Sequence, residues 1–355
     1  MSGSRQHFLP RFLKKGFASR TERKEVYTWV FTKDQAPYEA NLKNVGLGKE
    51  FYGKPGEFTL DEKITKQEDG FAHRLTELRS LKKTCDLEGS FPVEFIIHLV
   101  LRAKHLRQSI QEAGETIVAV AQEKLDTPEA FAQMLSHLFE TRPELIVESL
   151  ERKLQKGLPS DFPEDKKQDV IRYALGLFPQ ILPKVVTEGQ IMFNGLFEKM
   201  IELMPEIMKG AHIQELYKYV SPAKWIERFD GFDWALNVTQ DPAYILGDIG
   251  PIFRHHPCLT FKPLIFSSGE IAQVYLPISD TQVIVGISKQ KKEILNSDEI
   301  NFASATLSQD YFISSKRGEE ENALAGIISS EASNIRSDEL SKLDEMLEKD
   351  LLGRC

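Results

Sequence analysis

The sequence predicts an α+β fold: a small mixed or antiparallel sheet, formed by the N- and C-terminal segments, holds a large helical bundle as an insert, and terminal helices follow. Three observations predict it. Residues 25–32 alternate β-branched and aromatic side chains as a strand does, residues 57–220 show helical periodicity, and strand-like runs return between 234 and 286. Because each group of strands is too small to bury itself, we expect both groups to share one sheet.

These changes of pattern divide the chain into four parts. We expect a basic N-terminal segment with strands at 1–56, a helical bundle at 57–220, strands and a helix completing the same sheet domain at 221–318, and an acidic amphipathic helix at 319–355.

Turn and capping residues place the elements. The run 38–42 is expected to pair with the first strand, and Thr59 with Glu62 forms a capping box that opens the first long helix. The predicted helices span 59–83, 91–101, 127 onward, 143–155, 164–177, 189–219, 297–315 and 337–351, and the later strands span 234–238, 243–246, 273–276 and 282–286.

Composition indicates a globular protein without a membrane span. The 355 residues are 41% hydrophobic and 28% charged. The three cysteines, Cys85, Cys258 and Cys355, are far apart, which argues against a disulfide framework and favours a reducing, cytoplasmic location. No signal peptide is expected, because Phe12 and Leu13 are followed at once by lysines.

Charge is uneven along the chain. Residues 1–24 carry seven Lys and Arg against one acid, whereas residues 319–350 carry ten acids against three bases. The basic end could contact nucleic acid, an acidic partner or the acidic end of the same chain. The acidic C-terminal helix has one leucine face, which could dock on the body, on a protein partner or on a second copy.

Several polar residues are candidates for chemistry. His7 lies in an apolar and basic segment, and is either a hydrogen-bonded anchor or a general base or metal ligand. Asp248 follows an apolar strand, where it either binds a metal or caps a turn. Glu68 is either a surface residue or points inward beside Phe71. Arg102 and His105, three residues apart, could form an anion site on one helix face.

Other signals are weaker. The adjacent His255 and His256 are expected to lie in a loop, since neighbouring side chains of a strand point apart. The common glycine-rich nucleotide motifs, the zinc-protease motif HExxH and the serine-hydrolase motif GxSxG do not occur in the sequence.

The N-terminal run Arg5-Gln6-His7-Phe8-Leu9-Pro10-Arg11 resembles the opening signature of the domain of unknown function 4238 family. The resemblance covers about residues 5–315 and implies a shared fold and a prokaryotic, cytoplasmic setting, but no reaction. Further matching positions are Tyr52, Glu62, Glu68, Arg102, Asp248, Pro251, Pro277, Ser279 and Asn301.

Two hypotheses follow from these residues and the resemblance. In the first, the chain is a metal-dependent hydrolase, a nuclease with a role in prokaryotic antiviral defence. Its catalytic residues would be His7, Glu68 and Asp248, its Mg²⁺ or Mn²⁺ ligands Glu68 and Asp248, and its phosphate-binding residues Arg5, Arg11 and Arg102. Gln6, Pro10, Tyr52, Pro251, Pro277, Ser279 and Asn301 would support the site structurally.

The alternative is a non-catalytic protein-interaction module. Here the acidic C-terminal helix recognises a partner, and His7 and Asp248 are structural anchors. The two hypotheses differ in geometry, since an active site needs ionisable groups that converge in a place solvent can reach.

Overall fold

A computed structural model describes residues 5–49, 60–157, 159, 162–218, 223–256, 260–262, 270–289 and 294–332. Several sequence predictions lie outside the described residues, among them the capping box at Thr59, the structural role of Tyr52 and the helix at 337–351. Within the described part, no helix combines the length and the apolar character needed to cross a membrane.

The described residues form ten α-helices and thirteen strands. The helices are α1 (Arg11–Lys14), α2 (Leu60–Ser80), α3 (Phe91–Arg102), α4 (Lys104–Lys124), α5 (Pro128–Thr141), α6 (Pro143–Gly157), α7 (Glu164–Lys218), α8 (Ala223–Glu227), α9 (Ser297–Leu307) and α10 (Glu319–Ala325). The strands are β1 (Arg5–His7), β2 (Arg20–Glu22), β3 (Glu25–Thr32), β4 (Tyr38–Asn41), β5 (Leu47–Lys49), β6 (Cys85–Asp86), β7 (Phe232–Val238), β8 (Leu246–Gly247), β9 (Ile252–His255), β10 (Thr260–Lys262), β11 (Ile271–Ser279), β12 (Gln282–Ser288) and β13 (Tyr311–Ser314).

The chain divides into two compact units. The first contains the described residues up to Ile110 and those from Met208 onward, and the second contains residues 111–207. All strands belong to the first unit, together with α2 and α3, whereas the second unit is helical.

The first unit confirms the α+β class, but its strands form more than one sheet. A six-stranded sheet has the order β10-β9-β11-β12-β7-β6, and a five-stranded sheet has the order β2-β3-β13-β8 with β4 also on β3. β1 and β5 form a separate pair. All described pairs are antiparallel, and β4 pairs with β3 as predicted.

The link between the two ends of the chain is β13, which the sequence did not predict. The helix expected at 297–315 ends at Leu307, after which Tyr311–Ser314 pairs with β3 on one edge and β8 on the other. A capping box of Asn296 and Glu299 opens α9, but the buried aromatic residues after Ser308 are better accommodated by a sheet.

The apolar residues of the N-terminal segment are part of the main core of the first unit. Phe8, Leu9, Leu13 and Phe17 are buried with residues of α2, α3 and the six-stranded sheet. Packing of these four side chains therefore fixes the segment that directly follows His7.

In the second unit, the helices expected at 164–177 and 189–219 are one helix, α7, which contains Pro179, Pro183 and Pro205. Each proline removes a main-chain donor. The helix nevertheless continues, because its buried side chains keep to one face across the prolines. Those side chains are Ile171, Val186, Phe197 and Met204.

The end of α3 also differs from expectation. Arg102 is its last residue, Ala103 has an extended backbone, and α4 begins at Lys104. Arg102 and His105 therefore lie on different helices, and the prediction that they share one helix face is wrong.

Candidate functional site

The candidate site is built around the segment from β1 to α1. His7 is the last residue of β1 and pairs with Leu47 of β5. Pro10 precedes α1 and its carbonyl accepts the amide of Lys14. This short helical turn places Lys14 beneath His7, inside the protein.

Lys14 is a fully buried lysine whose donors are all used. Its Nζ donates to the Leu42 carbonyl at 3.2 Å and to the Val45 carbonyl, and lies 3.1 Å from His7 Nδ1. An ammonium has three N–H donors, so these three acceptors satisfy it. When Lys14 is protonated it can only donate, and His7 Nδ1 is then the acceptor in this contact.

The environment makes it harder for either group to carry a positive charge. Burial, together with Arg11 and Arg102, lowers the pKa of Lys14 to about 7. Burial, then the charge of Lys14, lowers the pKa of His7 to about 3, against the opposing effect of a hydrogen bond with Val45. His7 is therefore neutral at neutral pH.

Arg102 connects three elements behind His7. Its Nη2 donates to the His7 carbonyl at 2.6 Å, and its Nη1 lies 3.1 Å from His98 Nε2. The same Nη1 forms an ion pair with the Glu68 carboxylate of α2. The structure thus brings together His7, Glu68 and Arg102, and Glu68 lies on the inward side of its helix, beside the buried Phe71.

Asp248 lies at the end of strand β8, as predicted, but its carboxylate is occupied by main-chain amides. Oδ1 accepts the amide of Gln309 at 2.9 Å, and Oδ2 accepts those of Asp310 at 2.8 Å and Tyr311 at 3.3 Å. Burial raises the pKa of Asp248 to about 6, against the opposing effect of these amides. The carboxylate joins β8 to the start of β13.

The buried side chain of Tyr311 lies near both Lys14 and Asp248. A Cβ added at Gly46, where φ is +68°, would lie 2.8 Å from the Tyr311 hydroxyl and 3.5 Å from Lys14 Nζ. Burial raises the pKa of Tyr311, as does the nearby Asp248. Among the described residues, the Tyr311 hydroxyl has no hydrogen-bond partner.

The remaining predicted residues that the structure describes have positions inside the fold. Asn301 holds the segment before β8, since its Oδ1 accepts the Ile245 amide at 3.0 Å and its Nδ2 donates to the Ala243 carbonyl at 2.7 Å. Ser279 Oγ accepts the Thr281 amide at 3.2 Å in the turn between β11 and β12. Pro251 and Pro277 are buried, and the side chains of Arg5, Gln6 and Glu62 lie outside the described part.

The two carboxylates predicted to bind a metal are held by different partners, Glu68 by Arg102 and Asp248 by three amides. Across the described residues, no group of three His, Cys, Asp or Glu side chains lies close enough together to hold a metal ion. The metal assignment therefore stays a prediction.

A cavity of about 680 Å³ lies elsewhere in the first unit, and none of the predicted site residues lines it. Its walls come from the start of α3, from β7 and from the residues before each, including Asp86, Phe229 and Trp234. The cluster at His7 is therefore not part of the lining of this cavity.

Three residues of the site region were missed in the sequence. Lys14 looked like part of a solvated basic run, and the segment of Tyr311 was predicted to be helical. Arg79 of α2 donates to the carbonyls of Phe12, Leu13 and Ile278. The apolar neighbours of Lys14 are a signal that could have indicated its burial, whereas nothing local marks Arg79.

Buried histidines predict loss of stability in acid. Burial lowers the pKa of His98 to about 3 and those of His105 and His212 to about 4. Their folded pKa values lie below the unfolded value, so the unfolded state binds more protons. The stability they contribute is complete above about pH 6.5 and is lost as the pH falls, by about 2 kcal/mol for each histidine near pH 5.

Asp248 opposes this trend, because its raised pKa stabilises the folded state on acidification by about 1 kcal/mol near pH 5. Urea denaturation at about pH 7 and pH 5 should therefore show a net loss. His105→Phe should reduce the difference in the free energy of unfolding between these two pH values by about 2 kcal/mol. His73→Gln, at an exposed histidine, should leave that difference unchanged. Equal pH dependence in wild type and His105→Phe would contradict the assignment.

No curated protein and no solved structure matches the chain. The model of one family, described as a protein of unknown function (DUF4238), matches residues 5–335. That match spans nearly the whole chain, including β1, Glu68, Arg102, Asp248 and β13. The chain belongs to the DUF4238 family.

Proposed function

We propose that this chain is a hydrolase of phosphodiesters, a nuclease, with His7 at its active site. The observation that supports the proposal is the excess of positive charge around His7. Arg11, Lys14 and Arg102 act together on the pKa of His7, while Glu68 is the carboxylate paired within this group. A bound anion would relieve that excess, and phosphate is an anion that arginine binds through paired donors.

The residues of this group would have different roles. Arg11 is exposed and would meet the substrate phosphate first. Arg102 is buried, with its guanidinium held by His7, His98 and Glu68, so it would act as a positioning residue. Arg5, whose side chain is not described, stays a candidate for phosphate contact.

Anion binding would also prepare His7 for proton transfer. Its pKa of about 3 is too low for an efficient acid or base at neutral pH. A phosphate beside the exposed Arg11 would offset its charge and raise the pKa of His7. His7 would then exchange a proton with the attacking water or the leaving oxygen.

The proposal includes Mg²⁺ or Mn²⁺ through Glu68 alone. Glu68 has a side chain that is 21% exposed, and Mg²⁺ in proteins is commonly held by one or two carboxylates plus substrate phosphate oxygens. Asp248 does not fit as the second ligand, because it is buried and both of its oxygens accept main-chain amides. We therefore assign no step to the metal ion.

The test is cleavage of labelled RNA and DNA by the full chain, with Mg²⁺, Mn²⁺ or a chelator. His7→Gln is expected to slow cleavage by about 100-fold or more, the usual effect of removing an acid-base group. His73→Gln, the same change at an exposed histidine of α2, should cleave like wild type. Arg11→Ala should raise KM more than it lowers kcat.

Two results would count against the proposal. One is the failure of folded wild-type protein to cleave any substrate under all metal conditions. The other is the finding that the His7→Gln variant remains folded and cleaves RNA or DNA as fast as wild type. Prokaryotic antiviral defence is the setting proposed for such an activity, by analogy alone.

A non-catalytic interaction module is the second candidate. The engagement of Asp248 and Asn301 by main-chain groups favours it, since both then serve to hold the strands around β8. In that case His7→Gln should lower the melting temperature. Wild type and all variants should show only background cleavage. Capture of a partner that depends on residues 337–351 would support this candidate.

A further inference from the structure

Helix α7 has a row of exposed apolar side chains, here called the outer stripe, about a quarter turn from its buried face in the second unit. Phe197 and Met204, seven residues apart, are buried on the inner face. The large side chains of the outer stripe are exposed by 37 to 78%: Met192 78%, Leu196 52%, Met200 37%, Leu203 40% and Ile207 50%. Such a row of exposed apolar residues marks an interaction surface.

The spacing of the stripe is that of a coiled-coil seam. From Leu196 the apolar residues follow at intervals of four, three and four, at Met200, Leu203 and Ile207. This is the alternation of the a and d positions of a heptad, in which each side chain fits between four residues of a partner helix. The seam is about 16 Å long, at a rise of about 1.5 Å per residue.

The seam is complementary to itself when two copies run antiparallel. Leu196 then faces Ile207 of the second copy, and Met200 faces Leu203 of the second copy. A two-fold axis repeats both layers, so four layers are filled by large apolar side chains. A two-fold axis requires that the same patch serve both partners, and this sequence of residues meets that requirement.

Charge supports the same register. Lys199 and Glu206 flank the seam at equivalent heptad positions, both are exposed, and neither forms an ion pair with any residue that the structure describes. In the antiparallel pair, Lys199 lies opposite Glu206 of the second copy, and the axis produces this contact twice. Flanking charges of opposite sign select orientation and partner in such helix pairs.

We propose that the chain forms an antiparallel homodimer through the seam of Leu196, Met200, Leu203 and Ile207 on α7. A second copy is favoured over an unrelated partner because both the apolar layers and the charges match under one two-fold axis. The proposal is independent of the hydrolase assignment, since none of these residues belongs to the cluster at His7.

The first test is sedimentation velocity of the full chain over a wide range of concentration. Wild type should shift from monomer to dimer as concentration rises. Leu196→Glu should weaken dimerisation by about 100-fold or more, because each dimer would bury two carboxylates among apolar side chains. Since Leu196 is exposed, circular dichroism should show that the variant monomer stays folded.

Charge reversal tests the register. Lys199→Glu and Glu206→Lys should each weaken the dimer by about tenfold, because two attractions become repulsions. The double variant should return Kd to near the wild-type value. Lys82→Glu, the same change at an exposed site in the first unit, should leave Kd unchanged.

The proposal would be overturned by a monomer at all concentrations, or by a dimer that tolerates Leu196→Glu. A dimer that is weakened by Leu196→Glu but not rescued by the double charge variant would overturn the antiparallel register.

Discussion

Asp248→Ala is expected to lower the free energy of unfolding by about 3 to 5 kcal/mol, because it leaves buried main-chain amides without an acceptor. The amides are those of Gln309, Asp310 and Tyr311, all bonded to this carboxylate. Gln309 and Asp310 directly precede β13, and Tyr311 is its first residue; β13 is the strand that pairs with β3 near the N-terminus. Urea denaturation near neutral pH measures the loss.

Two further variants sharpen the result for Asp248. Asp248→Asn keeps the shape but places an NH₂ donor where an amide N–H also points, so it should recover only part of the stability. Asp86→Ala, at an exposed aspartate of β6, should change the stability by less than about 0.5 kcal/mol. If Asp248→Ala were as stable as wild type, the structural role of Asp248 would be contradicted. Asp248 would then again be a candidate catalytic residue.

Arg79→Ala is expected to cost about 3 to 5 kcal/mol, since one guanidinium serves carbonyls from two separate parts of the chain. It donates to Phe12 and Leu13 at 2.7 and 2.6 Å, and to Ile278 at 2.9 Å. Burial lowers the pKa of Arg79 to about 10, so it remains charged at neutral pH. Its removal would leave these carbonyls unpaired and loosen the segment that carries Lys14.

The matched control for Arg79 lies on the same helix. Arg74 is exposed and pairs with Glu77, so Arg74→Ala should change the stability by less than about 0.5 kcal/mol. Arg79→Lys should recover little, because an ammonium cannot reproduce the planar fork of donors. Comparable denaturation midpoints for Arg79→Ala and Arg74→Ala would show that the carbonyl contacts contribute little.

The sequence predicted elements whose signal is local. The strand at 25–32, its partner at 38–42 and the apolar helix from Phe91 follow from alternation or from helical spacing. The long helix α7 was divided because proline is a local signal for a helix end. The packing of its buried face, which overrides that signal, involves residues far apart in the chain.

The candidate site was predictable in part. His7, Glu68 and Arg102 were chosen by resemblance, and the structure places them together. The roles of Asp248 and Lys14 depend on amides at 309–311 and on carbonyls at 42 and 45, which are set by tertiary contacts. A sequence pattern shows that a charged residue has apolar neighbours, but it does not show which distant main-chain groups will satisfy it.

The pairing of β3 with β13 has a consequence for synthesis on the ribosome. Strand β3 is made early, yet its partner β13 lies more than 270 residues later, so this edge stays unpaired until residues 311–314 have emerged. The described helices of the second unit, at 111–207, are synthesised before β13. The nascent chain therefore carries an open strand edge while these helices are being made, a situation in which aggregation competes with folding and chaperones act.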